Sequence, residues 1–339
     1  MDLNKKQYSQ FALVREMMDT VGVVEGFDAG ATKELAAAVK GVGKLFLSGE
    51  GSSRIFPAKN ARRKSLRWGL GLDIDTDGSR QAAEYDLSKF AVFCSSNSGR
   101  TKEVVSLANK LKEAGHEHSY GLTANAGTLL EKNCKETFVL KCGWENAVAA
   151  TKSVVEQALF YESILWNMAG KRFSSQLGAL SGSVKEAMTM DIDKSIVGMA
   201  AKAPTIYFAG YNDGVAEELT LKTNEITRKK SDFLEGTYAV HGIEEVMSRE
   251  DVVIVVDPMA DEIGKFKEVL VDGVGLNVIA ISNRATPFKT IRVPDAGELT
   301  PYVYLCAGWN LLIEVGMALG IDLDKPERAR KVGNEYMGG

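Results

Sequence analysis

Residues 90–115, FAVFCSSNSGRTKEVVSLANKLKEAG, change pattern twice in one short span. An apolar, β-branched and aromatic run gives way to a Ser/Asn/Gly cluster. The cluster then leads into Val104, Leu107, Ala108 and Leu111 at helical spacing, with Gly115 as a stop. This order predicts a strand, a polar turn and a helix. The turn, residues 95–101, brings hydroxyls and unpaired backbone N–H groups to a helix N-terminus, where partial positive charge favours an anion such as phosphate. The residues are equally compatible with an ordinary serine-rich loop in which Ser98 or Thr101 is only the N-cap.

The same pattern recurs along the chain. Residues 44–48, KLFLS, read as a buried strand entering Gly49-Glu50-Gly51-Ser52-Ser53-Arg54 and a helix over 57–68. The third glycine of a dinucleotide fingerprint is missing there. Strands are expected at 120–123 and 137–140, a long helix at 146–168, and a Ser/Gly-containing connection over 171–184. The pattern then restarts, with strands at 205–210, 251–256, 276–281 and 290–293 and helices at 215–230, 265–271 and 302–319. Short apolar runs alternating with helix-length segments imply an α/β fold with parallel sheets. We read two copies of one doubly wound unit with helices on both faces. Residues 1–170 hold the N-terminal helices and the first domain, and residues 190–339 the second domain and a C-terminal tail. Ligands in such sheets bind at the carboxyl ends of the strands, where both small-residue turns fall.

Composition narrows the function. The net charge is −4, and the basic runs Arg62-Arg63-Lys64 and Arg228-Lys229-Lys230 are isolated, so no nucleic-acid surface is expected. Cys94, Cys134, Cys142 and Cys306 form no CxxC pair and lie in or beside apolar runs, which suggests reduced thiols in a cytoplasm. No apolar run approaches the roughly 18 residues of a membrane span, and no export signal is read at the N-terminus. Phe11, Val14, Met18 and Val21 there have the spacing of an amphipathic helix. Asp73, Asp75, Asp77, Gly78 and Glu84 satisfy a calcium-loop pattern literally. Arg80 stands where that pattern wants an aliphatic residue, and Gly69 and Gly71 interrupt the entering helix, so a strand and turn with solvated aspartates is expected instead. His116 and His118 lack a third ligand. No metal or cofactor is signalled.

Taken in order, these segments resemble the sugar isomerase (SIS) domain family, most closely the isomerase half of glucosamine-6-phosphate synthase and related amino-sugar-phosphate isomerases, deaminases and fructosamine-6-phosphate deglycases. Residues 96–101, SNSGRT, resemble that family's S-Q-S-G-E-T phosphate loop, which implies Ser96, Asn97, Ser98 and Thr101 as phosphate ligands. Gly51-Ser52-Ser53 resembles its G-T-S turn, implying Ser52 and Ser53 at the sugar. Residues 145–152, ENAVAATK, are similar to E-x-x-V-A-S-T-K and place Val148 there too. Residues 218–226, ELTLKTNEI, resemble E-G-A-L-K-L-K-E-I, which puts the carboxylate acid/base on Glu225; the ring-opening histidine falls on His241 and the active-site lysine of D-x-D-x-P-R-x-L-x-K on Lys331. Ile243 stands where the family has proline after His-Gly, and Arg100 where the phosphate loop has glutamate. No glutaminase half is expected before the domain.

The resemblance implies an enzyme that opens a hexose 6-phosphate bearing nitrogen and moves a proton between C1 and C2. Histidine suits the first task because it exchanges protons near neutral pH, and a carboxylate against the sugar suits the second. A lysine beside the carbonyl can form an imine. The residues alone leave blander roles open: Glu225 as a surface ion-pair partner of Arg228 or Lys229, His241 as a hydrogen-bonded structural residue, Lys331 as a solvated tail residue or phosphate clamp. A deglycase acting on a fructosamine 6-phosphate and a non-catalytic sugar-phosphate-binding regulator are the alternative functions. The resemblance further implies a cytoplasmic homodimer with shared active sites.

Overall fold

Two five-stranded sheets, each wholly parallel, organise the chain. The computed structural model describes residues 1–337. The first unit comprises Gly22–Asn146, Ala150–Gly178 and the segment from Ala329 onward; the second comprises Met1–Val21, Ala147–Ala149 and Ala179–Arg328.

The N-terminal helix is α1 (Ala12–Glu25). Its fully buried side chains include Leu13, Val14, Met17 and Val24, a stripe turned by about one residue from the expected Phe11, Val14, Met18 and Val21. Its start is set from far along the chain: the Asp324 carboxylate accepts from the N–H of Ala12 at 2.6 Å and of Leu13 at 3.0 Å.

The first sheet contains β1 (Lys44–Gly49), β2 (Asp73–Gly78), β3 (Ala91–Ser95), β4 (Ser119–Thr123) and β5 (Glu136–Val139), in the order β2-β1-β3-β4-β5. Successive strand residues point to opposite faces. Leu45, Leu47, Ala91 and Phe93 join one cluster with residues of α2 (Lys33–Val42) and α3 (Ile55–Trp68). Phe46, Val92 and Cys94 join another with Val104, Leu107 and Leu111 of α4 (Lys102–Glu113). Each such Leu or Phe stabilises by about 1.5–3 kcal/mol. The calcium-like run is β2, with Asp73 and Asp75 exposed and Asp77 accepting from the Tyr85 hydroxyl at 2.6 Å. The long helix that follows, α5 (Lys152–Met168), starts six residues later than the 146–168 spacing predicted, because residues 145–151 form a turn bound to the Glu145 carboxylate.

In the second unit the connection at 171–184 is largely helical: α6 (Leu177–Thr189) buries Leu177, Leu180, Val184, Ala187 and Met188 at helical spacing. The sheet contains β6 (Thr205–Gly210), β7 (Lys230–Glu235), β8 (Val252–Val256), β9 (Asn277–Ser282) and β10 (Lys289–Arg292), in the order β10-β9-β8-β6-β7. The helix expected over 215–230 is shorter. It runs as α7 (Val215–Lys222), widens into π-type turns over Thr223–Thr227, and stops at Arg228, whose φ is +57°. The chain then enters β7, which the apolar pattern did not show.

α7 packs on α8 (Thr300–Ala318) at Gly308, where an added Cβ would lie 2.3 Å from Leu219 Cδ2. A helical Gly→Ala exchange normally gains up to about 1 kcal/mol, but overpacking a close contact costs about 1–3 kcal/mol and prevails here. Gly308→Ala is therefore expected to lower the urea midpoint at unchanged m-value. A midpoint at or above wild type would contradict this packing. Among the described residues, no helix is long and apolar enough to cross a membrane.

Candidate active site

The strand order of the first sheet reverses between β1 and β3, which pair Gly49 with Ser95. This is the switch point where open α/β sheets bind ligands, and the two small-residue turns leave the carboxyl ends of these two strands. Gly49 is needed there: a Cβ would meet the Ser95 carbonyl at 2.9 Å and the Ser53 carbonyl at 3.1 Å. Ser52 and Ser53 lie in a tight turn over Gly51–Ser53. Glu50 accepts from the Ser79 N–H at 2.8 Å, and burial pushes its carboxyl above the usual range against the pull of that bond.

The phosphate-loop side chains form one cluster. Ser96 Oγ lies 2.9 Å from Thr101 Oγ1 and 3.4 Å from Ser98 Oγ, and the Ser98 hydroxyl accepts from the Arg100 N–H at 3.2 Å. Ser96 and Ser98 are buried. Thr101 occupies the N-cap position of α4, yet no side chain caps the helix. Thr101 thus provides no side-chain cap, and three hydroxyls gather at the N-terminus of α4, an arrangement that fits a phosphate. Gly99 makes the turn at φ +65°, and a Cβ there would fall 2.4 Å from Thr128 Cγ2. Gly99→Ala is expected to cost about 1–2 kcal/mol in backbone conformation and to weaken inorganic phosphate binding several-fold by ³¹P NMR titration. Unchanged affinity would place the anion elsewhere.

Lys331 belongs to the same unit. Its Nζ lies 3.9 Å from Glu145 Oε2, and its side chain is largely buried. The segment that carries it is held along the loop, with Lys102 N–H donating to Asn334 O at 3.0 Å, Tyr336 N–H to Arg100 O at 2.9 Å, and Arg100 pairing with Glu335 at 3.5 Å. Arg100 thus contacts the tail.

Glu225, His241 and Val148 belong to the second unit. Lys222, its side chain fully buried, sends its ammonium to Glu225 Oε2 at 2.8 Å and Glu218 Oε1 at 3.1 Å. Burial alone would lower the ammonium's pKa, but Glu225 and then Glu218 outweigh it and raise the group above its ordinary range. The Glu225 side chain keeps 24% of its surface open. It pairs with Lys222 rather than with Arg228 or Lys229, and Arg228 pairs with Glu327 at 2.9 Å. His241 lies on an exposed loop before Gly242, whose φ is +103°, and among the described residues its ring has no hydrogen-bond partner. The structural-hydrogen-bond role does not apply to it. Val148 is half-buried.

The sequence reading assigned no role to Glu145, Lys222 or Glu218. The last two were accessible, since Glu218, Lys222 and Glu225 at i, i+4 and i+7 share one helix face.

No family model matches the chain. Glutamine–fructose-6-phosphate aminotransferase [isomerizing] of Vibrio vulnificus is 26% identical over 291 residues, covering 78% of this chain and 47% of that protein. The chain therefore spans about half the length of the curated relatives it matches. The C-terminal domain of glucosamine-fructose-6-phosphate aminotransferase from Francisella tularensis superposes with a TM-score of 0.78 at 17% identity, covering 94% of this chain and 98% of that one. Glucosamine-6-phosphate deaminase from Thermotoga maritima superposes at 0.72 and 17% identity, covering 95% and 98%.

Proposed function

We propose that the chain is a member of the sugar isomerase (SIS) domain family and acts as an isomerase or deaminase on a hexose 6-phosphate bearing nitrogen, of the glucosamine 6-phosphate and fructose 6-phosphate type. In this reading the two units are tandem doubly wound domains. The observation that carries it is Glu225, a partly open carboxylate fixed by a fully buried lysine.

The phosphate would sit on Ser96, Ser98, Thr101 and the N–H groups at the start of α4, with Asn97 and the turn at Ser52 and Ser53 beside it. Val148 lines the sugar in the same reading. His241 opens the ring. Glu225 removes the proton from C2 and returns it to C1, and Lys331 holds the open-chain carbonyl or forms an imine with it. In the deaminase variant water replaces the nitrogen and ammonia leaves. The names of the relatives support this substrate class: one curated relative uses fructose 6-phosphate, and one solved neighbour deaminates glucosamine 6-phosphate. His241, exposed and without a ring partner among the described residues, also suits a homodimer in which one copy completes the site of the other.

The test is NMR of glucosamine 6-phosphate and fructose 6-phosphate with the protein in deuterated buffer. Deuterium should enter at C1 and C2, and ammonia release should separate deaminase from isomerase. Binding of either sugar without exchange would overturn the reading in favour of a non-catalytic sensor.

A further inference from the structure

We propose that Glu145 is a positioning residue that ties the phosphate loop to Lys331, so that phosphate capture and placement of the amine become one event. The proposal rests on the phosphosugar reading above, and its ties lie within the first unit.

The Glu145 side chain is fully buried. Oε1 accepts from the Thr151 N–H at 2.7 Å and the Thr151 hydroxyl at 2.9 Å. These two bonds suffice to close the turn ahead of α5. Oε2 is turned elsewhere: it accepts from Asn97 Nδ2 at 2.9 Å and from the Ser153 hydroxyl, and it faces Lys331 Nζ at 3.9 Å. Asn97 and Lys331 come from distant parts of the chain and share no sequence signal.

A carboxylate taken wholly out of water is retained only when donors and a countercharge surround it. Here that requirement is met by the loop on one side and the tail on the other. Asn97 is otherwise rigid, because its carbonyl accepts from the Ala124 N–H at 3.1 Å, the Thr123 hydroxyl at 3.2 Å and Asn125 Nδ2 at 2.8 Å. The fixed main chain thereby presents the Asn97 amide to Oε2, and the loop is coupled to the ammonium through that shared carboxylate. The bonds of Asn334 and Tyr336 to Lys102 and Arg100 clip the tail to the loop a second time. Lys331 is thus held by its own ammonium and by the segment that follows it.

The test is a mutant cycle on the full chain. The rate of Lys331 acetylation by acetic anhydride is followed by peptide mass spectrometry in wild type, Asn97→Ala, Glu145→Gln and the double variant, and hexose 6-phosphate binding is followed by NMR. Asn97→Ala should change the Lys331 rate roughly threefold or more in the wild-type background and leave it nearly unchanged beside Glu145→Gln, the non-additivity expected of groups on one shared partner. Circular dichroism checks folding. If Glu145→Gln does not fold, Glu145→Asp, which draws the carboxylate back by one methylene, takes its place in the cycle. An Asn97→Ala effect of equal size in both backgrounds overturns the proposal, whether or not a sugar phosphate binds. Non-additivity without any binding of a hexose 6-phosphate leaves the positioning role standing and removes the phosphosugar reading.

Discussion

Glu225→Gln should lower the rate of C1–C2 hydrogen exchange by about 10²–10⁴-fold, the range a positioned acid/base supplies. The amide keeps the side chain's shape and can still accept from the Lys222 ammonium, 2.8 Å away in the wild type. It cannot take up a proton. The loss should therefore fall on kcat, with KM nearly unchanged, since the groups read as holding the phosphate are untouched. A variant that exchanged deuterium within a few-fold of wild type would move the acid/base elsewhere.

The second large effect concerns stability. Lys222→Met removes the cation that bridges Glu218, whose side chain is fully buried, and Glu225. Breaking a buried ion pair from one side typically costs about 3–5 kcal/mol because the remaining charge stays desolvated, whereas removing both partners is often close to neutral. Urea unfolding at neutral pH should show that loss for Lys222→Met and recovery of most of it in Glu218→Gln/Lys222→Met. The pH dependence has a definite sign. The folded-state pKa of Lys222 is raised above its ordinary 10.5, so its contribution is fully present below that value and is lost as pH rises through the folded pKa. Wild type should lose stability in this alkaline window, above about pH 10.5, and Lys222→Met should show a flatter profile there. A single-variant loss under about 1 kcal/mol would mean that water reaches the pair and screens it.

Much of the architecture follows from local pattern. β1, β3, β6, β8 and β9 are short apolar runs because both faces of an interior parallel strand are covered, and they were readable for that reason. β7 was not. It lies at the sheet edge with Leu234 its one fully buried side chain, so its residues KSDFLE carry no strand signal. α6 was hidden by Gly178, Ser181, Gly182 and Ser183, which read as a connection, although Leu177, Leu180 and Val184 held the helical spacing. The π-type turns at Thr223–Thr227 have no compositional mark, and the start of α5 at Lys152 depends on a carboxylate whose donors come from several segments.

Local pattern sets the two strand, turn and helix series, the hydroxyl-rich turns at the strand ends and the order of the motif residues, because periodicity and small-residue turns act over a few neighbours. Which side chains those residues meet depends on how the elements fold together. The fold put the phosphate-loop hydroxyls at the N-terminus of α4, a lysine beneath Glu225, and Asn97 and Lys331 on one Glu145 carboxylate. The physical reason is that a buried charge takes its partners from whatever the fold brings within a few ångströms, and that proximity is written in no single stretch of the chain.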